Sequence, residues 1–416
     1  MMRLKASIPS YKQIEMELSP NQTVRDLKKL VCAKFGIEPE LTRLLLAGKN
    51  LPDATRVSKL KVSGEPVVVD YLWARHLIAW GSDGQNKIRN STVLIAGAGA
   101  IGNEVAKNLA MLGIGKLLIV DRDKVEMSNV SRMIFFEPTN LGKNKAEVLA
   151  KNVHKKYPFV ETAAFRGDLE SLPLKLYLDS DVIVCGLDNV VSRIFLTQVS
   201  RKYSTPLVDG GITGLNARVH VYIPPEDPCP ICMFPPNQYS HIVGLRNPCD
   251  APLEQEAVPS FATSISLVSS IVAQETTKLI LGLATFQEKH KWPETSGPPL
   301  RSVLFIDMKN NRFTQMDLKR GEKCFVCGKD GTAKEVVPRL DFVLAKIHAS
   351  SQTPQGAIRE ALRTEAQVRI FTETIKGEES LEPLPRAVKK LAHGDYLKVI
   401  SESKNGELRE SILRLI

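Results

Sequence analysis

The stretch that most constrains this chain runs from Val93 to Asp123, VLIAGAGAIGNEVAKNLAMLGIGKLLIVDRD. Val93 to Ala96 is an unbroken apolar run, short enough for a strand buried on both faces. Gly97, Gly99 and Gly102 follow as GxGxxG and open a helical run to Leu112, which Gly113 ends. A second apolar run, Lys116 to Val120, predicts the next parallel strand and delivers Asp121. Glycines at this spacing permit a tight turn and let phosphate oxygens approach the backbone at a helix N-terminus. Asp121 stands where a carboxylate accepts hydrogen bonds from ribose hydroxyls. Oxidoreductases share this pattern, so alone it argues for an α/β, Rossmann-like domain and not for a reaction.

Residues beyond this stretch narrow the reaction class. DRDKVEMSNVSRM begins at Asp121, then comes GKNKAE, and further on CGLDNVVSR. This set resembles the adenylating domain of ubiquitin-activating enzymes and of the molybdopterin- and thiamine-pathway adenylyltransferases. The resemblance implies that Asp121 binds the ribose of ATP, that Asn129, Arg132 and Lys145 surround its phosphates, and that Asp188 is the magnesium-linked carboxylate. Attack of a carboxylate on an α-phosphate builds charge on phosphoryl oxygens, and cations with a metal must stabilise it. Singly, each residue reads equally as a cap or a surface ion pair. Met133 stands where the family commonly has glutamine, and Gly99-Ala100 where a glycine pair is frequent. Ahead of the first strand, ARHLIAWGSDGQNKI resembles the segment that leads into this domain. There the resemblance implies that Arg75 reaches the triphosphate of a partner subunit, so that a homodimer completes each ATP site. The alternative for Arg75 is an ordinary surface arginine.

Cysteine spacing points to a metal. Of seven cysteines, four form CPIC (Cys229, Cys232) and CFVC (Cys324, Cys327). Two CxxC pairs supply four thiolates for tetrahedral zinc, and neither lies in the βα setting of a redox motif. A structural clip is expected, similar to that of the prokaryotic adenylyltransferases. Thiols in this use suit a reducing cytoplasm better than disulfides would.

Net charge is +10 but is spread along the chain, without the concentrated basic footprint of a nucleic-acid binder. The first residues lack the long apolar core of a signal peptide. The helical pattern Phe261 to Leu283, stopped by Gly282, carries Ser264, Ser266, Ser269, Ser270, Gln274, Glu275 and Lys278, which argues against lipid. Neither nucleic acid nor membrane is expected as a partner.

Three domains are expected. Residues 1–72 read as a β-grasp domain: VRDLKKLVCAKF, Val24 to Phe35, is an amphipathic helix with Thr23 as N-cap and Gly36 as stop. RLLLAGKNLPDATRVSKLKV, Arg43 to Val62, looks like the second half of ubiquitin. The chain runs on past Leu72 with no free glycine pair, so this domain reads as a docking module, with Leu45 and Val69 as its candidate apolar patch. Residues 73–333 form the adenylation domain. Within it, Pro206 to Gly214 is a strand ending in glycines that form part of a channel for a modifier's tail, and Val303 to Asp307 is the closing strand. A proline-rich loop at about 233–260 carries Cys249. Residues 334–416 read as a small α+β domain ending in a hairpin about Asn405-Gly406. It is similar to the ubiquitin-fold domain that recruits the conjugating enzyme.

The expected activity is activation of a ubiquitin-like modifier with ATP, magnesium and zinc. Its C-terminal carboxylate is adenylated, passed to Cys249 as a thioester, and transferred to a conjugating protein. Two alternatives stay open: an adenylyltransferase that serves a sulfur carrier without a thioester step, and a non-catalytic nucleotide-binding scaffold. No sulfur-donor domain follows the zinc pairs, which leans away from the sulfur-carrier reading.

Overall fold

The computed structural model describes residues 2–60, 64–234, 259–342, 369–374, 395–402 and 408–416. Contacts divide the chain into two compact units. One comprises Met1–Ser91, Leu109–Gly115 and Ile280–Pro298; the other comprises Thr92–Asn108, Lys116–Leu279 and Pro299–Ile416.

The first unit opens with β1 (Met2–Ile8), β2 (Lys12–Leu18), α1 (Val24–Phe35), β3 (Thr42–Leu46), β4 (Lys49–Asn50) and β5 (Val67–Tyr71). The strands lie in the order β2-β1-β5-β3-β4, with β1 and β5 parallel at the centre. Alternation buries Leu4, Ala6 and Ile8 of β1, and the helical period buries Leu27, Val31 and Phe35 of α1. Thr23 caps α1 as the spacing predicts. Its hydroxyl accepts the Asp26 N–H at 3.3 Å, Asp26 accepts the Thr23 N–H at 2.9 Å, and Gly36 ends the helix at φ 68°.

The expected Leu45/Val69 patch is not there. Leu44 pairs with Val69 on the inner face, both fully buried, while Leu45 pairs with Val68. A reading one residue out of phase on β5 chose an inward side chain, because strand faces alternate with period two.

Next comes α2 (Ala74–Arg89), broken at Gly81, whose φ of 70° and ψ of 178° are not helical. The β-grasp domain is fastened along this helix. The Tyr11 hydroxyl accepts the Ser82 N–H at 3.3 Å just past the break, Asn86 donates to the Gly36 carbonyl at 3.3 Å, and Arg89 pairs with Glu38 at 2.9 Å.

The second unit is built on β6 (Thr92–Ala96), α3 (Ala100–Leu112), β7 (Lys116–Val120), α4 (Met127–Val130), α5 (Lys145–Lys156), β8 (Glu161–Phe165), α6 (Leu174–Leu178) and β9 (Val182–Cys185). It continues through α7 (Val190–Lys202), β10 (Leu207–Thr213), β11 (Asn216–Tyr222), α8 (Ala262–Lys289), β12 (Ser302–Asp307) and β13 (Arg312–Met316). The last turns of α3 and α8 group with the first unit. The sheet order is β13-β12-β11-β10-β9-β6-β7-β8. From β8 to β10 the strands are parallel; β11, β12 and β13 add on antiparallel. The order therefore reverses between β6 and β9, and in open α/β sheets ligands bind at the carboxyl ends of strands at such a reversal.

Two expectations change here. Val303 to Asp307 does not close the sheet, because β13 pairs outside it; its RFTQM sequence is exposed throughout and carries no apolar alternation to read. Gly282 does not end α8. A Cβ there would lie 2.6 Å from Ser296 Oγ and 2.7 Å from the Trp292 ring, so this glycine admits the returning chain while the helix runs on to Lys289. Among the described residues α8 is the one helix long and apolar enough to cross a membrane. It is a core helix by its contacts: over half of its most apolar window is buried, and the buried Glu275 pairs with Lys278 at 2.7 Å and accepts the Leu300 N–H at 2.6 Å.

The same unit ends in a separate sheet of β14 (Arg339–Phe342), β15 (Arg369–Thr374), β16 (Tyr396–Glu402) and β17 (Leu408–Leu415), ordered β14-β17-β16-β15. β16 and β17 pair as an antiparallel hairpin; Asn405-Gly406 lies outside the described residues. The sheet is anchored to the unit's core. Tyr396 donates to the Leu178 carbonyl at 3.2 Å, Lys202 pairs with Glu410 at 2.8 Å, and Tyr396 and Ile412 pack in one cluster with Tyr177 and Leu178.

Candidate active site and metal centre

Each glycine of the loop after β6 has a different job. Gly97 turns the chain at φ 94°, and its N–H bonds the Val120 carbonyl at 2.9 Å. A Cβ on Gly102 would sit 1.9 Å from the Gly97 carbonyl oxygen, so only glycine lets the helix start this close to the strand. A Cβ on Gly99 would meet nothing within 4 Å. That open approach to backbone at the start of a helix is what a phosphate requires.

Asp121, at the end of β7, holds this loop in shape. One carboxylate oxygen accepts the Ala98 N–H at 2.7 Å and the other the Asp123 N–H at 2.8 Å. Burial pushes its pKa up, against those hydrogen bonds and the nearby Lys145 charge. Lys145 begins α5, with Asn144 as N-cap accepting the Glu147 N–H at 3.1 Å. The Asn144 amide donates to the carbonyls of Asp121 at 2.9 Å and Asp123 at 3.1 Å, so α5 is tied to the β7 loop. The Lys145 ammonium accordingly lies 3.0 Å from the Asp123 carboxylate.

Asn129 and Arg132 sit in the segment between. Asn129 is buried and its oxygen accepts the Glu126 N–H at 2.9 Å, so part of its hydrogen-bonding capacity is spent on capping α4. Arg132 is partly buried, and its Nε is wholly buried with no hydrogen-bond partner. The segment is fixed to α3 through Asn103, whose oxygen accepts the Phe135 N–H at 3.1 Å and whose Nδ2 is also buried and unpartnered. Leaving such donors unmade costs about 1–3 kcal/mol each, and an acceptor brought by a ligand removes that cost.

Asp188 follows β9, across the reversal from the glycine loop. It is exposed and enters no ion pair among the described residues, which leaves its oxygens free for a hard cation such as magnesium. The two loops touch: the Gly186 N–H bonds the Ala96 carbonyl at 2.9 Å, and a Cβ on Gly97 would lie 3.0 Å from the Gly186 oxygen. The structure therefore brings Gly97, Gly99, Gly102, Asp121, Lys145 and Asp188 to one edge of the sheet, with Asn129 and Arg132 in the segment that Phe135 ties to Asn103 of α3. Open backbone, an unpaired guanidinium nitrogen, an ammonium and a free carboxylate fit a nucleotide triphosphate with its cation.

Arg75 lies on the first half of α2, exposed and unpaired among the described residues. Cys249 lies outside the described residues. The other two cysteines not in CxxC pairs, Cys32 and Cys185, are buried, and burial pushes the Cys185 thiol up to about 12.

Sequence reasoning missed a charge cluster beside this site. The Asp209 carboxylate, fully buried on β10, is gripped by Arg193 of α7 and lies 3.2 Å from Arg218 of β11. An aspartate inside the apolar run PLVD was a signal that cations had to converge there.

The metal centre is clear from sulfur positions. The Sγ atoms of Cys229, Cys232, Cys324 and Cys327 all lie within 4.8 Å of one another. Contacts are 3.8 Å for Cys229–Cys232, 3.6 Å for Cys229–Cys324 and 3.4 Å for Cys232–Cys327. A tetrahedron with Zn–S bonds near 2.3 Å has edges of about 3.8 Å, so the cluster fits zinc. All four ligands are protein sulfurs, three of them buried, which describes a closed structural site. The Gly321 N–H points at Cys232 Sγ from 3.4 Å and Arg320 donates to the Cys327 carbonyl at 2.8 Å, stiffening the second CxxC turn.

Fold and site together define a nucleotide-binding α/β protein with a phosphate cradle and a separate metal clip. Residues 73–326 match the ThiF family and residues 3–71 the ubiquitin family. The chain belongs to the ThiF family and carries an N-terminal ubiquitin-like domain. It is 28% identical over 270 residues to a sulfur carrier protein adenylyltransferase of Thermus thermophilus, covering 62% of this chain and 89% of that protein. It is 30% identical over 282 residues to the SAMP-activating enzyme E1 of Haloferax volcanii, covering 65% and 93%. With the adenylyltransferase and sulfurtransferase MOCS3 of Caenorhabditis briggsae it shares 27% identity over 287 residues, 66% and 65% of the two chains.

Proposed function

We propose that this chain adenylates the C-terminal carboxylate of a ubiquitin-like protein. The observation that carries the reading is the gathering of the open Gly99 backbone, Lys145 and the free Asp188 at the reversal of the sheet. A carboxylate oxygen of the modifier attacks the α-phosphorus of ATP. The bond to the bridging oxygen breaks and pyrophosphate leaves. Lys145 and Arg132 offset charge on the phosphoryl oxygens, and the glycine-loop N–H groups receive phosphate oxygens. Asp188 would hold magnesium, which would supply positive charge against that developing on the phosphoryl oxygens. Asp121 keeps the glycine loop in its turn.

Two further steps belong to this proposal. Cys249 takes the acyl group as a thioester, its sulfur displacing AMP, and a conjugating protein receives it, with the C-terminal sheet as the docking element. Arg75 completes the ATP site of a partner copy in a homodimer. The second reading is an adenylyltransferase that stops at the adenylate of a sulfur carrier, from which a sulfide-level donor supplied by another protein displaces AMP to give a thiocarboxylate. The sulfur-carrier adenylyltransferase from Thermus, similar over most of its own length, supports it.

The test is ATP–pyrophosphate exchange dependent on a ubiquitin-like protein with a free C-terminus. The wild type exchanges label and Asp188→Ala does not. No exchange by the wild type with any such protein would favour a scaffold. Cys249→Ala divides the remaining readings. Loss of a thiol-sensitive adduct with exchange retained supports the thioester, and thiocarboxylate formation by the variant when inorganic sulfide is added supports the sulfur-carrier route. Mixing Arg75→Ala with Asp188→Ala restores part of the activity if Arg75 acts across a dimer.

A further inference from the structure

Adenylation does not use Asp209, yet its side chain is 2% exposed between two arginines. Its strand neighbours are Cys185 of β9 and His220 of β11, both buried. A buried ion pair seldom stabilises a fold more than apolar side chains of the same volume would, so its presence asks for another reason.

Arg193 supplies one. Besides the Asp209 carboxylate, its guanidinium donates to the Leu187 carbonyl, and to the Gly210 carbonyl at 3.0 Å. Leu187 immediately precedes Asp188. The same short loop is held from the other side by the glycine turn, through the Gly186 N–H bond to Ala96. Asn189 then caps α7 by accepting the Ser192 N–H at 2.8 Å, which sets Arg193 in the first turn after Asp188. Arg193 also feels the charge of Asp188 itself. Arg218 braces Asp209 from β11, and its stem crosses Gly211, where a Cβ would lie 3.2 Å from Arg218 Nε. One carboxylate between two guanidiniums leaves an excess positive charge beside an exposed aspartate.

We propose that the Asp209–Arg193 pair, braced by Arg218, is a positioning device that holds the 186–189 loop so that Asp188 presents its carboxylate to the nucleotide-bound cation. Arg193 and Asp209 act through the backbone of Leu187 and are positioning residues. The proposal rests on the role of Asp188 in anchoring magnesium.

The experiment uses the full chain with Asp209→Asn, Arg193→Lys and the triple variant Asp209→Asn/Arg193→Gln/Arg218→Gln, each checked for melting temperature and zinc content. Hydrogen exchange of residues 186–190 without nucleotide is the first measurement, and the magnesium dependence of pyrophosphate exchange is the second. Asp209→Asn is expected to speed exchange of that loop by tenfold or more and to raise the magnesium requirement at least tenfold. ATP affinity measured in EDTA should not move. In the triple variant none of the three charges of this cluster is left without its partner, so melting returns toward wild type while the loop and the magnesium requirement stay altered. A pair that only stabilised the fold would recover all three together, and that recovery overturns the proposal. Unchanged exchange of 186–190 in folded Asp209→Asn and Arg193→Lys overturns it too, whatever the activity. Absence of pyrophosphate exchange in the wild type would instead sink the adenylation reading, with the loop measurement still deciding the positioning role.

Discussion

The glycine loop and the four-cysteine cluster lie in one unit of the molecule and treat polar atoms in opposite ways. Around the clip, four sulfurs face one another, and the nearby donors of Gly321 and Arg320 are spent on Cys232 and the Cys327 carbonyl. Around the glycine loop, Arg132 Nε and Asn103 Nδ2 have no partner, Asp188 stands free, and Gly99 faces open space. A closed set contributes to stability. An open set costs stability until a ligand completes it, which is how a folded chain keeps binding energy available for chemistry.

Substitutions at the two regions should separate accordingly. The largest effect is expected at the clip. Cys324→Ala, or stripping the metal with a chelator, removes an interaction of about 10 kcal/mol or more, comparable with the whole stability of a domain. The expected outcome is loss of zinc by metal analysis and collapse of the melting transition. A folded, zinc-free protein of unchanged melting temperature would break the contrast.

The glycines test it within one loop. Gly102→Ala drives a Cβ to 1.9 Å from a backbone oxygen, so it should lower both melting temperature and activity. Gly99→Ala has room, and should leave melting within about 0.5 kcal/mol while weakening ATP binding measured by titration. Equal destabilisation by the two would mean that Gly99 is packed, not open.

Arg132→Met comes next. Removing the donor should cut pyrophosphate exchange about 100-fold, roughly 3 kcal/mol of transition-state stabilisation. Melting should be unchanged or slightly higher, since a buried unsatisfied atom disappears with it. Exchange that survives at wild-type rate would remove Arg132 from the site.

The smallest effect is a pH dependence. His220 is buried with Nδ1 unpartnered, and desolvation pushes its pKa down from 6.5 to about 4. The unfolded chain therefore binds this proton more readily, so the contribution is present above pH 6.5 and is lost as pH falls toward 4. Between pH 6.5 and 5 the loss is about 1.5 kcal/mol. Denaturant melts at the two pH values, compared with His220→Gln, should show the wild type alone losing this increment. Parallel losses in both would place the proton elsewhere.

Much of the site was legible because its signals are local. The three glycines, the two CxxC pairs and the Thr23 cap each declare themselves within a few residues. Other features depended on which strand lies beside which. Val69 turned inward by the register of β5 on β3; β13 joined the sheet without any apolar pattern; Gly282 served close packing inside a helix. Asp209 reads as an anomaly in the sequence, and became intelligible only when β9, β10, β11 and α7 brought Arg193 and Arg218 to it.

By itself the sequence determined the class of chemistry: a phosphate loop followed by cationic and acidic residues in an order that resembles the adenylating family, and a four-sulfur cluster. Tertiary structure decided which of those residues remain free to act. Backbone turns and caps are short-range, set by φ, ψ and neighbours a few residues away. Whether an arginine is satisfied, or an aspartate left exposed, depends on partners brought from far along the chain, and only the folded sheet supplies them.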